Sequence, residues 1–305
     1  MKSASLVSPV SFRSAAGRVR RGFTLLELLV VIGIIGLLAA VTISQFGGVT
    51  ESAKATQCQT NLRNLAVAVQ NIAARDEHGS FPGAGSFKYL KTANRKLEYP
   101  EWKGWISWGH APDQTSKGGG SVVPFSSSDD ELLRYAVTNG AIWSAMGGAR
   151  SSYVCPVHAA LCSKRNARQP GWSYVMNQAF GFDSNYGSGP VMNMGTKSLS
   201  DIVNGDRLLL FAEIQGRDDA DRGLVANTDG SGTGGDSVLQ YSQNEVVGFN
   251  HETSRGLAGH VAFADGHVET LRYPTGGLSL TELTKALCEG HELRFNGKGF
   301  EDLSQ

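Results

Sequence analysis

Hydrophobic and polar positions follow three successive patterns along this chain. From Phe23 to Phe46 nearly every position is apolar, and a single charge, Glu27, breaks the run. Phe23 to Ser44 would make about 33 Å of helix, enough to cross a bilayer core of about 30 Å. Gly47-Gly48 then predicts an interruption, since each glycine costs about 1 kcal/mol against alanine inside a helix. Beyond it, Cys58, Leu62, Leu65, Val69 and Ile72 recur every three or four residues, while Gln57, Asn61, Asn64 and Asn71 share the other face. That periodicity predicts an amphipathic helix with its apolar stripe on a sheet. His78-Gly79 ends it and Pro82 prevents its return.

The third pattern is short and strand-like, with many turns. Residues 83–170 read as a glycine-rich insert with Lys117-Gly118-Gly119-Gly120-Ser121 as a loop tip. Ser128-Asp129-Asp130-Glu131 is a capping box that opens a short helix through Leu132, Leu133 and Val137, and Tyr153-Val154-Cys155-Pro156 reads as a strand end. Leu208 to Glu213 is a buried strand by its continuous apolar run. In 260–271, Asp265-Gly266 reads as a two-residue hairpin turn that pairs Phe263 with Val268 and Val261 with Thr270. Ser279-Leu280-Thr281-Glu282 is another capping box, for a helix that ends near Gly290 and docks through Leu280, Leu283 and Leu287. The predicted fold class is α+β: a long N-terminal helical stem, membrane-spanning in its first half, packed on an antiparallel sheet domain with long loops. The predicted division is 1–22, 23–48, 49–82 and a head over 83–305.

Charge adds direction. The net charge is zero, but of 28 lysines and arginines five lie in residues 1–22, which hold no acid. The remaining 23 face 28 acids, a net −5. The basic end is expected to stay cytoplasmic and the rest to be translocated. A mildly acidic body without a basic stripe argues against nucleic acid as a partner. With 41% hydrophobic residues the chain can build a sizeable core, and its 38 glycines imply many turns.

Candidate chemistry is sparse. An exported body can oxidise its four cysteines, and Cys155 and Cys162 are the expected disulfide by proximity. The alternatives are three zinc ligands from Cys155, His158 and Cys162, or free thiols. Trp102, Trp105 and Trp108 suit a carbohydrate-stacking platform, a subunit contact or local core filling. Asp218, Asp219, Asp221, Asp229 and Asp236, in a glycine-rich loop, are candidate calcium ligands, although no EF-hand spacing is present. No other cofactor is implied. Enzyme templates are absent: His251-Glu252 and His291-Glu292 lack the second histidine of a zincin, and no Gly-x-Ser-x-Gly elbow occurs. Two non-enzyme classes remain, a self-assembling subunit and a membrane-tethered module that binds carbohydrate or calcium.

Gly22-Phe23-Thr24-Leu25-Leu26-Glu27, behind Arg20-Arg21, resembles the prepilin cleavage and methylation site of type IV pilins and type II secretion pseudopilins. The resemblance spans roughly residues 18–46. It implies cleavage between Gly22 and Phe23 by a membrane prepilin peptidase, and N-methylation of the new Phe23 amine. Glu27 then pairs with the amine of a neighbouring subunit and sets the axial register of a filament. The implied partners are identical or related subunits, the peptidase, an inner-membrane assembly platform and lipid. The implied location is the bacterial inner membrane, N-terminus cytoplasmic, then a periplasmic or surface filament.

Cys58 to Leu65, His78 to Pro82 and the Ser173-Tyr174-Val175-Met176-Asn177 stretch resemble the large prepilin-type proteins with a C-terminal H-X9-DG domain. There His251, Asp265 and Gly266 correspond to the hallmark, with an extended loop at 252–259 accounting for the longer spacing. His251, Asp265 and His267 could bind a metal or form a catalytic dyad, but the plainer expectation is that Asp265 supports the turn and His251 bonds loop backbone.

Overall fold

The computed structural model describes residues 23–84, 104–106, 130–165, 169–183, 193–194, 197–225, 237–241 and 245–304. The chain divides into two compact units, Met1–Gly48 and Val49–Gln305. In the first, helix α1 (Leu25–Arg75) begins one residue after Thr24, and every described side chain from Phe23 to Ala39 is exposed. Among the described residues, no helix is long and apolar enough to cross a membrane. Gly47 and Gly48 carry helical backbone, so the predicted interruption is absent. Two propensity penalties of about 1 kcal/mol are small against helix propagating from both sides. The boundary between the units nevertheless falls directly after the glycine pair.

In the second unit, α1 is followed by α2 (Asp130–Thr138) and α3 (Pro156–Lys164). Strands β1 (Tyr174–Asn177), β2 (Phe182–Asp183), β3 (Asn193–Met194), β4 (Leu209–Glu213), β5 (Val238–Leu239), β6 (His251–Thr253), β7 (Gly256–Phe263), β8 (Val268–Arg272) and β9 (Gly276–Gly277) come next. Helix α4 (Leu280–Glu289) and strands β10 (Leu293–Phe295) and β11 (Gly299–Asp302) complete the order. Among the described residues, the main sheet runs β5-β1-β4-β7-β6, and β8 also pairs with β7. The fold is a helix-plus-sheet mixture, and its sheet is rich in antiparallel pairs. The β1–β5 and β9–β11 pairs are parallel, a departure from the all-antiparallel expectation.

The register of β7 organises the sheet. Its C-terminal half pairs with β4, its N-terminal end with β6, and its middle with β8. Because β8 covers residues 258–262 along one edge, β4 and β6 lie end to end along the other. Gly259 has no room for a side chain, as a Cβ there would strike the Gly248 carbonyl oxygen. The stem stripe covers this sheet: Cys58, Leu62, Leu65 and Val69 are fully buried in one core with Trp172, Phe211 and Phe249, and Ile72 packs at its margin. Asn61, expected on the wet face, is also fully buried. Its amide donates to the carbonyls of Ser151 and Val154, which satisfies it there.

Two hairpins depart from expectation. Ala262 opposes Val268 and His260 opposes Thr270, one residue out of the predicted register. The turn is therefore a three-residue loop. Gly266 donates its N–H to Phe263 and takes φ +92°, which glycine alone adopts freely. Residues 252–259 form no extended loop, because Thr253 pairs with Gly256 and His251 with Ala258 in a tight β6–β7 hairpin. Tyr153 and Pro156 also read differently. Arg150–Tyr153 is a 3₁₀ turn, and Pro156, whose missing N–H suits a first helical turn, opens α3. The Ser279–Glu282 capping box is present, α4 ends on left-handed Gly290, and Leu283 and Leu287 are buried as expected.

Past Arg75, Asp76 accepts hydrogen bonds from the backbone of Ser80 at 2.9 Å and of His78 at 3.1 Å. The Ser80 bond and then the His78 bond hold this carboxyl below its ordinary range. The turn's contribution is therefore complete above the unfolded value of about 3.9 and is lost as pH falls through the lower folded value. The Ser80 amide shift should titrate in NMR with a midpoint below about 3.9; a midpoint at or above it contradicts the assignment. Gly259→Ala should cost about 1–3 kcal/mol or more by overpacking, read as an earlier urea transition of the full-length protein in detergent. An unchanged transition would remove Gly259 as a packing constraint.

Candidate functional site

The segment that resembles a processing site lies at the start of α1. Gly22 lies outside the described residues. Phe23 is exposed, and Thr24 is the residue before α1. The Thr24 N–H and hydroxyl donate to the Glu27 carboxylate at 2.8 and 2.9 Å, and the Glu27 N–H donates back to Thr24 Oγ1 at 3.2 Å. This is a reciprocal capping box, so Glu27 caps the start of helix α1 as well as carrying charge. Thr24-Leu25-Leu26-Glu27 carries the Ser/Thr-x-x-Glu signature that announced the other boxes, and here the apolar run masked it.

The other candidates disperse. Trp102 and Trp108 lie outside the described residues. Trp105 is fully buried, stacks on Tyr153 at 6.2 Å, meets Phe211 edge-on at 4.9 Å and donates its ring N–H to the Ser237 carbonyl. It is core rather than platform. Asp229 and Asp236 lie outside the described residues. Asp218 pairs with Arg165 at 3.8 Å, Asp219 caps a 3₁₀ turn and pairs with Arg222, and Asp221 is exposed. Asp265 accepts from the His267 N–H at 3.0 Å and supports the turn. Gly266 sits against the Gln70 amide of the stem. His251 does not join Asp265 and Gly266, because it pairs with Ala258 at the far end of β7.

Cys155 is bonded to Cys58, with Cα atoms 5.2 Å apart, and Cys162 is a buried free thiol. This corrects the expected Cys155–Cys162 bridge. Cys155 precedes α3 and Cys162 lies seven residues along it, about 10 Å of helical rise. A disulfide spans Cα distances of only about 4.4–6.8 Å. The same bond removes Cys155 from a set with His158 and Cys162. His158 is instead buried 2.9 Å from the Ser173 hydroxyl.

Around that disulfide the sheet assembles a cluster that sequence reasoning missed. Ala212 opposes Val261, so the next residue, Glu213, falls opposite His260. His251 opposes Ala258, two residues from His260. Opposed residues and those two apart share a sheet face, which places Glu213, His251 and His260 together. Tyr174 opposes Glu213 from β1. The stem covers this face, since Gln59 reaches Thr270 at 3.0 Å and His260 at 3.4 Å. His251 Nε2 lies 2.9 Å from Glu213 Oε1 and 3.8 Å from Cys155 Sγ. Asn250 donates to the other Glu213 oxygen at 3.4 Å and is itself pinned by Gly216 and Ile214.

The electrostatics follow from this geometry. Burial pushes the Glu213 carboxyl up, but the charge and hydrogen bond of His251, with His260 and Asn250, hold it below its ordinary value. Burial pushes His251 down, but the charge and hydrogen bond of Glu213, with Glu51, raise it above its ordinary value. His260 ends below its ordinary value, because burial and the His251 charge outweigh Glu213. The cluster therefore favours the charged forms of Glu213 and His251 and the neutral form of His260. A strand ending in a carboxylate after a wholly apolar run was the signal for it at Leu208 to Glu213.

The prokaryotic N-terminal methylation motif, a type IV pilin-like signature, matches residues 17–43. No curated protein and no solved structure matches the chain. The match covers Gly22, Phe23, Thr24 and Glu27 and is consistent with a pilin- or pseudopilin-like precursor.

Removing one partner of a buried ion pair typically costs about 3–5 kcal/mol. Glu213→Leu should lower the stability of the full-length protein in detergent by that order, followed through Trp105 and Trp172 fluorescence in urea. Glu213→Leu with His251→Leu should lose less than the sum of the two single changes. Additive losses would mean that the two side chains do not act as a pair.

Proposed function

We propose that this chain is the precursor of a pilin-like structural subunit. Residues 1–22 are its leader, 23–48 its membrane and filament-core helix, 49–82 the amphipathic half of the stem, and 83–305 the exported head. In this reading a prepilin peptidase cuts between Gly22 and Phe23 and the new amine is methylated. The subunit waits in the inner membrane until an assembly platform moves it into a pilus or a type II secretion pseudopilus. The observation that carries the reading is the methylation motif across residues 17–43, with a glycine at the cut and an acid five positions into the mature chain.

Physical chemistry supports the same reading. A run of exposed apolar side chains from Phe23 to Leu38 cannot stay in water as a single helix, and lipid or packed neighbouring helices are its two solvents. Mature Phe23 brings an ammonium within about one turn of Glu27. An incoming amine from a neighbour can take over the carboxylate that Thr24 now holds, and that pairing offsets desolvation of both charges. The head, with its longer H-X9-DG spacing, is assigned to the group of large prepilin-type proteins on sequence resemblance. The motif marks structural subunits, and no catalytic role is proposed.

Mass spectrometry of the protein from cells that hold a prepilin peptidase should find an N-methylated Phe23 as first residue. Any other start overturns the proposal. Glu27→Val should leave cleavage largely intact and cut filament yield at least ten-fold, scored by sheared-filament immunoblot; normal yield would reject the register role.

A further inference from the structure

We propose that Cys58, Cys155, Glu213 and His251 form a zinc site when the two cysteines are reduced, so that one buried position is closed either by a disulfide or by a metal ion. The four side chains come from three separate places: the stem helix, the turn before α3 and the abutting ends of β4 and β6. Each offers one ligand atom, and these atoms all lie within 4.8 Å of one another. All four residues are buried. Two thiolates, one imidazole and one carboxylate are a complete tetrahedral set for zinc. The mixture of soft sulfur with harder nitrogen and oxygen favours zinc over copper(I), which prefers sulfur alone.

The geometry needs little change. In a tetrahedron with zinc–sulfur bonds of about 2.3 Å and zinc–nitrogen or zinc–oxygen bonds of about 2.0–2.1 Å, neighbouring ligand atoms lie about 3.3–3.8 Å apart. His251 Nε2 and Cys155 Sγ are already 3.8 Å apart, and His251 Nε2 and Glu213 Oε1 need only spread from 2.9 Å. Reduction frees the two sulfurs to separate. The orienting shell exists, because Asn250 holds the outer carboxylate oxygen and is fixed by the backbone of Gly216 and Ile214. A disulfide alone does not explain these groups. It needs no buried carboxylate and no imidazole turned toward its sulfur, and both are costly to bury. His260, 2% exposed, lies against His251 with ring centroids 4.3 Å apart and planes tilted by 48°, and no described group bonds its Nε2.

The exchange balances with a dithiol reductant. The dithiol passes two electrons and two protons to the Cys58–Cys155 bond and becomes a disulfide itself. The protein then carries two thiols. Zinc binding displaces both thiol protons to solvent and, where His251 is charged, its Nε2 proton also. Reoxidation of the two sulfurs by a disulfide oxidant expels the ion.

The test uses the full-length protein in detergent without oxygen. A phosphine reductant opens the bond, taking its oxygen from water, and cobalt(II) then stands in for zinc. One equivalent of cobalt per chain should bind, with the near-ultraviolet thiolate-to-cobalt band and the strong visible bands of a tetrahedral site, and zinc should displace it. The oxidised protein should give neither band. Cys58→Ser should remove most of the thiolate band, and His251→Gln or Glu213→Gln should weaken cobalt binding at least ten-fold. X-ray absorption on the reduced, zinc-loaded wild type keeps the test decisive where a variant does not fold. Two sulfur and two nitrogen or oxygen neighbours are expected. Absence of stoichiometric binding, a different sulfur count, or equal binding by the oxidised protein would overturn the site.

Discussion

The packing of the stem's second half against the sheet is the constraint on which the rest of the second unit depends. Without Cys58, Leu62, Leu65 and Val69 over it, the face that carries Tyr174, Glu213, His251 and His260 would be wet. A carboxylate and an imidazole that make a strong pair in a dry site would then be two weakly coupled surface groups. The stem also has a covalent tie to the head through Cys58 and Cys155, across a separation of 97 residues. On the chain-entropy account, closing a loop of that size removes entropy from the unfolded chain and so favours the fold by about 4–5 kcal/mol. Covalent and apolar attachment thus act on the same helical turns.

Much of this architecture was legible in the order of residues. The 3.6-residue stripe from Cys58 to Ile72, the apolar run ending in Glu213 and the Ser279–Glu282 box each stand where periodicity and capping chemistry put them. These are local signals, and local chemistry determines them. Tertiary choices escaped. Nearness along the chain favoured Cys162 for Cys155, yet a helix started by Pro156 carries Cys162 away while the stem brings Cys58 near. Asp265-Gly266 marked the turn, but whether two or three residues make the loop depends on Leu208, just before β4, and Gln70 of the stem, which hold Ala264 from both sides.

The candidate functional residues divide in the same way. The processing motif is a contiguous word, and the family comparison covers it. The cluster at Glu213 has no such word. Its members lie at positions 58, 155, 213 and 251, with unrelated spacings, and only strand register and the stem's rotation place them together. His251 and Asp265, which resemblance joins in one motif, occupy opposite ends of β7 and do different work. One is part of a buried carboxylate–imidazole pair; the other orders a turn beneath the stem.

Thr24 and Glu27 cap the start of α1 between themselves. Both residues lie on the C-terminal side of the Gly22–Phe23 bond, and together they satisfy each other's backbone donors. Two of the donors at the start of α1 are therefore met from within the pair itself. Cutting that bond would leave the cap whole and change only what stands in front of it, from a neutral peptide group to a cation. The proposed cut would thus act as a change of charge at a helix end that already carries its cap.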